Sequence, residues 1–284
     1  MKVGYIGLGH LGRAMAGRLI SQEVDLVVWN RTRDRASSLG AEIADSPSAV
    51  ISASEIVFLN LFDSAAVGEV LTGERGILQG DCRGKIVIDT TTNHFETVTG
   101  FHELLSRSGG YYLESPVLGS VVPASQGALT VLVSGDSSAF DKARPLLEKV
   151  GKSIFYLGKP SLATRMKLVN NLVLGSFMAT LAEALAFGED TGIEKAQVLD
   201  ILASGAGSSL VLNAKKEKLL REDFSTHFSS ALIYKDLHYL QDLARTLRRP
   251  LFTGSVAKEL FALTLNEEME HLDFSVLYRV MRNM

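Results

Sequence analysis

The hydrophobic pattern changes character a little beyond the middle of the chain. In the first part, short runs rich in β-branched and aromatic residues alternate with segments whose apolar residues recur every three or four positions. Several of these runs are apolar throughout, which is typical of a parallel sheet with helices on both faces. The pattern predicts strands at Val3–Ile6, Leu26–Trp29, Ile56–Leu61, Ile86–Asp89, Tyr111–Leu113, Leu129–Val133 and Ser153–Tyr156. Alternating strands and helices predict a doubly wound, Rossmann-like α/β domain.

The second part shows helical spacing only. A long helical pattern begins near Ser161 and continues to about Gly192, and further helical segments follow to the end of the sequence. We therefore predict two domains, an α/β domain over residues 1–160 and an all-helical domain over 161–284. The uncharged run 168–182 has fifteen residues, fewer than the roughly 18 to 20 that a bilayer crossing needs. We interpret it as a buried helix.

Composition narrows the class of protein. The 284 residues carry a net charge of −3 and are 46% hydrophobic, so no large field is available for a nucleic acid or an acidic membrane surface. The single cysteine, Cys82, excludes an internal disulfide and fits a reducing compartment. The first twenty residues lack the unbroken apolar run of a secretory signal. The histidines show no helical i, i+4 pairing, so we predict no metal site. From the composition and the single cysteine we expect a cytoplasmic protein.

A glycine motif follows the first predicted strand and precedes a helical segment. It has the form G-x-G-x-x-G and comprises Gly7, Leu8, Gly9, His10, Leu11 and Gly12. In such a motif the first glycine allows a tight turn, the second lets the backbone approach a pyrophosphate, and the third lets helix and strand pack closely. The backbone N–H groups at the start of the helix then face the phosphates. The position of the motif at the first strand–helix junction predicts a dinucleotide site.

The end of the second predicted strand indicates which dinucleotide. An NAD site carries Asp or Glu there to bind the ribose 2′-hydroxyl, whereas this chain has Asn30, Arg31 and Thr32. No carboxylate would repel a 2′-phosphate, Arg31 can pair with it, and Thr32 can donate a hydrogen bond. We predict that NADP(H) is preferred to NAD(H).

A second candidate site lies where the long helical segment begins. Lys167 and Asn171 are four residues apart, so they share one face of a helix. A lysine at the edge of an apolar stretch has its charged form disfavoured and can serve as a proton donor near neutral pH. The alternative is a lysine whose stem covers apolar surface while its ammonium reaches water.

These motifs together resemble the β-hydroxyacid dehydrogenase family, which includes 3-hydroxyisobutyrate dehydrogenase and is related to 6-phosphogluconate dehydrogenase. Within the family, the chain is most similar to the glyoxylate/succinic semialdehyde reductase branch. The resemblance covers essentially the whole chain and runs through GLGHLGRAMAGRL, VVWNRT, IDTTT, ESPVLGSVVPASQGALTVLVSGD, MKLVNN, YKDL and LDFSVL.

The resemblance implies a role for individual residues. The family's catalytic lysine and supporting asparagine correspond to Lys167 and Asn171. The substrate-binding positions of the family correspond to Thr92, Gly119, Ser120, Phe228 and Asp236. Besides the glycine motif and residues 30–32, the resemblance places Leu61, Phe62, Thr92 and Lys235 near the cofactor.

The chain departs from the family pattern at three places. Leu118 stands where the family usually has serine, which removes a hydroxyl that helps to hold the substrate. The usual Gly-x-Gly before the lysine reads Ser161-Leu162-Ala163. The third departure is His10-Leu11, where methionine commonly precedes the third glycine. The first two leave the identity of the substrate open.

The resemblance implies an NADPH-dependent oxidoreductase that reduces small aldehydes or 2-oxo acids, or oxidises the corresponding hydroxy acids, in a homodimer or homotetramer. Hydride would reach a carbonyl carbon in a cleft between the domains, with Lys167 as the general acid/base. Two alternatives remain open: an imine reductase on the same fold, and a non-catalytic dinucleotide-binding module.

Overall fold

The structure, a computed structural model, describes residues 2–284. The chain forms two compact units, of which the first ends at Lys167 and the second begins at Leu168. The nine strands, all in the first unit, are β1 (Val3–Ile6), β2 (Leu26–Trp29), β3 (Glu42–Ile43), β4 (Ile56–Leu59), β5 (Ile86–Asp89), β6 (Tyr111–Glu114), β7 (Val117–Leu118), β8 (Leu129–Ser134) and β9 (Gly151–Gly158).

Helices connect these strands, as the alternating pattern predicts. In the first unit they are α1 (His10–Ser21), α2 (Asp34–Ser37), α3 (Pro47–Ala53), α4 (Ser64–Thr72), α5 (Thr97–Arg107), α6 (Val121–Ser125) and α7 (Ser137–Val150). A long helix, α8 (Leu162–Asp190), begins in the first unit and continues into the second. The second unit adds α9 (Lys195–Ser204), α10 (Leu210–Arg221), α11 (Ser230–Thr246), α12 (Thr253–Asn266) and α13 (Leu277–Arg282). The predicted boundary at residue 160 lies just before α8. The division of the chain into two functional domains at this position stays a prediction.

The sheet has the order β3-β2-β1-β4-β5-β6-β8-β7, with β9 also paired to β8. The strands from β3 to β6 are parallel, and β1 lies between β2 and β4. This arrangement confirms the predicted doubly wound fold. The apolar strands predicted a parallel sheet, and the sheet is parallel only as far as β6. Beyond it, β8 pairs antiparallel with both β6 and β7.

Two hydrophobic cores cover the two faces of the sheet. Because successive side chains of a strand point to opposite faces, Tyr5 of β1 belongs to one core and Ile6 to the other. Phe58 and Leu59 of β4 divide in the same way. Burial on both faces explains why these strands read as continuous apolar runs.

The second unit is helical throughout, which confirms the predicted all-α part of the fold. The length argument against a membrane span was wrong, because the uncharged run forms only part of the 29-residue helix α8. By length and hydropathy α8 could cross a membrane, and 44% of its most apolar window is buried. A single helix of this kind is weak support for a membrane span, since the core helix of a soluble protein meets the same test.

Candidate active site

Four of the predicted site segments follow neighbouring parallel strands. The glycine motif follows β1, Asn30 follows β2, Leu61 follows β4 and Thr92 follows β5. These strands are adjacent in the order β2-β1-β4-β5. The carboxyl ends of parallel strands meet at one edge of a sheet, where open α/β sheets bind ligands. The fold therefore brings these segments together.

The glycine motif has the shape that a dinucleotide requires. Gly7 has a φ of +96°, and a Cβ there would lie 2.2 Å from the Asn60 carbonyl oxygen. A Cβ on Gly12 would lie 2.1 Å from the Gly7 carbonyl oxygen. At Gly9, by contrast, a Cβ would have nothing within 4 Å. The loop is closed toward the protein and open at its second glycine, where a pyrophosphate approaches the backbone.

The start of α1 completes this cradle. Gly9 occupies the N-cap position, and no side chain caps the helix there. The first backbone bond into the helix comes from the Arg13 N–H to the Gly9 carbonyl, so the preceding N–H groups have no intrahelical partner. These N–H groups and the helix dipole fit a phosphate.

Asn30 holds the glycine motif in place. Its Oδ1 accepts a hydrogen bond of 2.8 Å from the Leu8 N–H, and its Nδ2 donates one of 2.8 Å to the Thr32 carbonyl. Arg31 and Thr32 are exposed. Asn30 therefore links the glycine motif to the segment expected to bind a 2′-phosphate, a positioning role that the sequence did not reveal.

The turn that carries Thr92 is anchored by a buried carboxylate. Asp89 ends β5, and its Oδ1 and Oδ2 accept hydrogen bonds from the Thr91 N–H (2.9 Å) and Asn93 Nδ2 (2.7 Å). The Tyr112 hydroxyl also donates to Oδ2. Burial raises the pKa of Asp89, and these hydrogen bonds partly offset the rise. A carboxylate that ends an otherwise apolar strand is the signal that could have identified this anchor.

Gly119 and Ser120 follow β7. Gly119 has a φ of +126°, and a Cβ there would lie 2.7 Å from the Leu129 side chain. Only glycine fits this position. Gly119 is exposed, and Leu118 and Ser120 are partly buried, so this segment is accessible to a ligand.

The predicted catalytic pair is buried. Lys167 and Asn171 lie on α8, one turn apart, and are 6% and 0% exposed. The low exposure of Lys167 argues against the alternative in which its ammonium lies in open water. A buried lysine needs polar partners or a reason to give up its proton.

In the second unit, three of the predicted residues form one cluster. Asn171 Nδ2 donates a hydrogen bond of 2.6 Å to Asp236 Oδ2, and the Lys235 ammonium lies 3.0 Å from Asp236 Oδ1. Because a carboxylate accepts and does not donate, it fixes which end of the Asn171 amide faces it. Asp236 is 1% exposed, and a direct contact with substrate stays a prediction.

Phe228 is held by a separate network. Its backbone N–H donates to Asp273 Oδ2 (3.2 Å), which also accepts from the His227 N–H (3.1 Å) and the Lys215 ammonium (2.9 Å). The Phe228 ring packs edge-on against Phe274, with ring centroids 5.6 Å apart. Asp273 was not singled out in the sequence, since its partners are about 45 to 60 residues away along the chain.

Family models match both parts of the chain. Residues 2–158 match the NAD-binding domain of 6-phosphogluconate dehydrogenase. Residues 162–281 match the model described as NAD-binding of NADP-dependent 3-hydroxyisobutyrate dehydrogenase. These matches confirm the predicted dinucleotide-binding domain.

Curated relatives agree with the family models. Glyoxylate/succinic semialdehyde reductase 1 of Arabidopsis thaliana is 30% identical over 285 residues, covering 99% of both chains. The nuclear factor N-PAC of Mus musculus is 32% identical over 278 residues, covering 98% of this chain and 50% of its own. The chain thus spans about half the length of the N-PAC relatives that it matches.

A solved structure extends the likeness to the cofactor. Psf3 in complex with NADP+ and 2-OPP is 29% identical, covers 98% of this chain and 99% of its own, and superposes with a TM-score of 0.90. Sequence, fold and cofactor-binding motif therefore agree, and the chain belongs to the β-hydroxyacid dehydrogenase family of NAD(P)-dependent oxidoreductases, with its relatives among the 3-hydroxyisobutyrate dehydrogenases.

Proposed function

We propose that the protein is an NADPH-dependent reductase of small carbonyl compounds, aldehydes or 2-oxo acids of the glyoxylate or succinic semialdehyde type, with Lys167 as the proton donor. The observation that carries this proposal is the buried pair Lys167 and Asn171, one helical turn apart. The Arabidopsis relative bears the name of this activity and matches over its full length.

The cofactor would lie along the glycine motif. The open backbone at Gly9 and the uncapped start of α1 would receive the pyrophosphate. Arg31 and Thr32 would bind the 2′-phosphate, in a segment shaped by Asn30. When bound, the nicotinamide supplies the hydride for the carbonyl carbon.

Lys167 would complete the reaction by donating a proton from Nζ to the developing alkoxide oxygen. Reduction of a carbonyl places negative charge on that oxygen, and a positioned ammonium both stabilises the charge and neutralises it. The Asn171 amide donates one hydrogen to Asp236, and its second hydrogen would reach the same substrate oxygen. Lys235 would sustain the Asp236 charge that orients Asn171.

The far end of the substrate would contact Thr92, Gly119 and Ser120. Asp89 fixes the turn that carries Thr92, and Gly119 is exposed and carries no side chain. These groups suit a carboxylate. Leu118 supplies no hydroxyl there, so we expect this protein to bind carboxylate-bearing aldehydes more weakly than relatives that have serine.

The experiment is a substrate panel scored by loss of NADPH absorbance, with wild-type protein and Lys167→Met. The panel contains glyoxylate, succinic semialdehyde, an uncharged aldehyde of similar length and a cyclic imine. We expect turnover of at least one carbonyl, a lower KM for NADPH than for NADH, and a loss of about 10²-fold or more in kcat for Lys167→Met. Binding of NADPH, measured by its fluorescence, should be unchanged in that variant.

Each contrary result has a distinct meaning. Full activity of Lys167→Met would remove the lysine from the mechanism. Turnover of the imine alone would identify an imine reductase. NADPH binding without turnover of any compound would favour a dinucleotide-binding module.

We also propose that the protein acts as a homo-oligomer. Val169, Val173 and Phe177 form a stripe along α8 at four-residue spacing and are each more than 40% exposed. Such a stripe is typical of an interface. Light scattering at micromolar concentration should give at least twice the monomer mass of 30.8 kDa, and a monomer would contradict this proposal.

A further inference from the structure

The first turn of α8, which leads to Lys167, is held by side chains from the sheet. The first four N–H groups of a helix have no partner within it. In α8, the Ala163 N–H donates to Ser134 Oγ (3.0 Å) and the Thr164 N–H to Glu114 Oε2 (3.3 Å). The Thr164 hydroxyl donates to the same carboxylate oxygen. Two successive backbone groups of the helix are thus capped from outside it.

The two acceptors lie side by side on the sheet. Glu114 ends β6 and Ser134 ends β8, and the two residues are direct partners in the antiparallel pairing of these strands. A pair of adjacent strands is among the most rigid supports in a protein. The start of α8 is therefore fixed to the sheet.

Ser161 adds a third contact immediately before the helix. It is a non-glycine residue with a φ of +74°, a conformation that persists only where its surroundings hold it. Its hydroxyl donates to the Phe95 carbonyl (2.6 Å) and accepts from Arg165 Nε (3.1 Å). The Arg165 guanidinium lies over the Phe95 ring, 5.6 Å from its centre.

Glu114 is an unusual residue for such a place. It is 1% exposed, and among residues 2–284 its Oε1 has no hydrogen-bond partner. No Lys or Arg pairs with it among the described ion pairs; its hydrogen-bond partners are neutral. A glutamine would satisfy the same N–H and hydroxyl, and a leucine would fill the same space without any polar group. The position thus supplies an acceptor for the Thr164 N–H and hydroxyl, which a leucine would not provide.

We propose, on the basis of the reductase function proposed above, that Glu114 is a positioning residue for Lys167: through Thr164 it sets where the first turns of α8, and hence the lysine ammonium, lie relative to the sheet. Lys167 follows Thr164 by three residues, so the two lie on neighbouring parts of one helix face. A proton donor displaced by about 1 Å loses about 10²-fold in rate. The cap at Thr164 is close enough to Lys167 to control such a displacement.

The test compares Glu114→Leu, which leaves the Thr164 N–H and hydroxyl without an acceptor, with Glu114→Gln, which keeps an acceptor oxygen. We expect Glu114→Leu to lower kcat about tenfold or more, with KM and NADPH binding close to wild type. Glu114→Gln should stay within about threefold of wild type. Thr164→Val, which removes only the hydroxyl, should fall between the two.

Leu71→Ala serves as the matched control. Leu71 is fully buried in the core on α4, so its truncation lowers stability while leaving the hydrogen bonds of Ser134 and Glu114 to α8 in place. If Glu114→Leu has the same kcat as this control at equal fractions folded, Glu114 is merely structural and the proposal is wrong. If Glu114→Leu does not fold, the same comparison of kcat with the Leu71→Ala control is made for Thr164→Val and Ser134→Ala.

Hydrogen exchange separates this proposal from the reductase function. In Glu114→Leu the amides of residues 163–167 should exchange at least tenfold faster than in wild type, with Leu71→Ala showing no such local change. Fast exchange together with unchanged kcat would show that the cap exists and does not position the lysine. A wild-type protein without any carbonyl turnover would overturn the function, while unchanged exchange in Glu114→Leu would overturn the cap itself.

Discussion

Glu114 in the first unit and Asp273 in the second are both buried carboxylates that fix backbone next to predicted site residues, and they differ in what surrounds them. Glu114 is bound by the Thr164 hydroxyl and N–H, all neutral donors. Asp273 has the Lys215 ammonium 2.8 Å from its Oδ1. Burial raises the pKa of Glu114 to about 7. Burial also acts on Asp273, but Lys215 and the hydrogen bonds hold its pKa below the ordinary value.

The difference teaches that the same backbone anchor can be built with an ion-paired carboxylate or with a carboxyl group that titrates near neutral pH. Desolvation penalises a buried charge, and only a counter-ion with further hydrogen bonds offsets that penalty. The second unit uses such a pair to hold the segment with Phe228. The first unit uses a carboxyl group that titrates near pH 7, so its anchor depends on pH near neutrality, whereas the Asp273 anchor depends on pH only in the acid range.

The largest effect should come from removing the counter-ion. Lys215→Met leaves Asp273 buried and unpaired, which should lower the free energy of unfolding of the second unit by about 3–5 kcal/mol. Hydrogen exchange of the α10 amides measures this loss. The double variant Lys215→Met/Asp273→Asn removes both charges and should recover part of it. Equal stability of the single variant and wild type would show that Asp273 needs no counter-ion.

An intermediate effect should appear in the pH dependence of the first unit. The folded pKa of Glu114, about 7, lies above its ordinary 4.5, so its stabilising contribution is present below pH 4.5 and is lost as the pH rises through 7. A shift of about 2.5 units corresponds to roughly 3 kcal/mol. Urea unfolding followed by the fluorescence of Trp29, the single tryptophan, should show Glu114→Gln gaining stability over wild type between pH 4.5 and 8.

The stability of wild type alone would not isolate Glu114, because His102 also changes its protonation in the acid range. Burial lowers the pKa of His102 to about 4, so wild-type stability also falls as the pH drops from 6.5 toward 4. Both proteins contain His102, and the difference between them isolates Glu114. A difference that does not change with pH would place the Glu114 titration outside this range. For Asp273 the direction is opposite: its contribution is present above its unfolded pKa and is lost only as the pH falls through the lower folded value.

The smallest effects should come from the serines that assist each carboxylate. Ser275 Oγ donates to Asp273 Oδ1 at 2.7 Å, and Ser134 accepts from the Ala163 N–H beside Glu114. Hydrogen bonds to charged groups contribute about 1.5–3 kcal/mol and neutral ones about 0.5–1.5 kcal/mol. Ser275→Ala should therefore cost more than Ser134→Ala in urea unfolding at pH 6. The reverse order would show that the bond from Ser275 to Asp273 is no stronger than a neutral one.

Local patterns were enough to predict the fold class and the cofactor loop. The apolar strands and the glycine motif express contacts between neighbours in sequence, so β1, the Gly7–Gly12 turn and α1 could be located in advance. The short strands β3 and β7 were missed, because two residues carry no periodicity. The long helix predicted from near Ser161 to about Gly192 was confirmed as α8. The membrane argument failed because it counted only the uncharged run 168–182, and a helix continues through charged residues.

The site was predicted unevenly for the same reason. Lys167 and Asn171 lie one turn apart on a single helix, so their spacing pointed to them. Asp89 and Glu114 are each the last residue of a predicted or observed strand. Asp89 bonds to Asn93, four residues away, whereas Glu114 bonds to Thr164, 50 residues away. The contact of Asp236 with substrate stays a prediction, and its hydrogen bond with Asn171, 65 residues away, was not predicted. Contacts over such separations leave no periodic signal.

The sequence by itself determined the alternation of strands and helices, the cofactor turn at Gly7–Gly12 and the lysine with its asparagine, because each depends on residues within one or two turns of each other. The tertiary structure decided which carboxylates anchor these parts and in which charge state. That outcome depends on burial and on the nearest counter-ion, and both are set only when distant strands and helices pack: Glu114 meets Thr164 without a cation, and Asp273 meets Lys215.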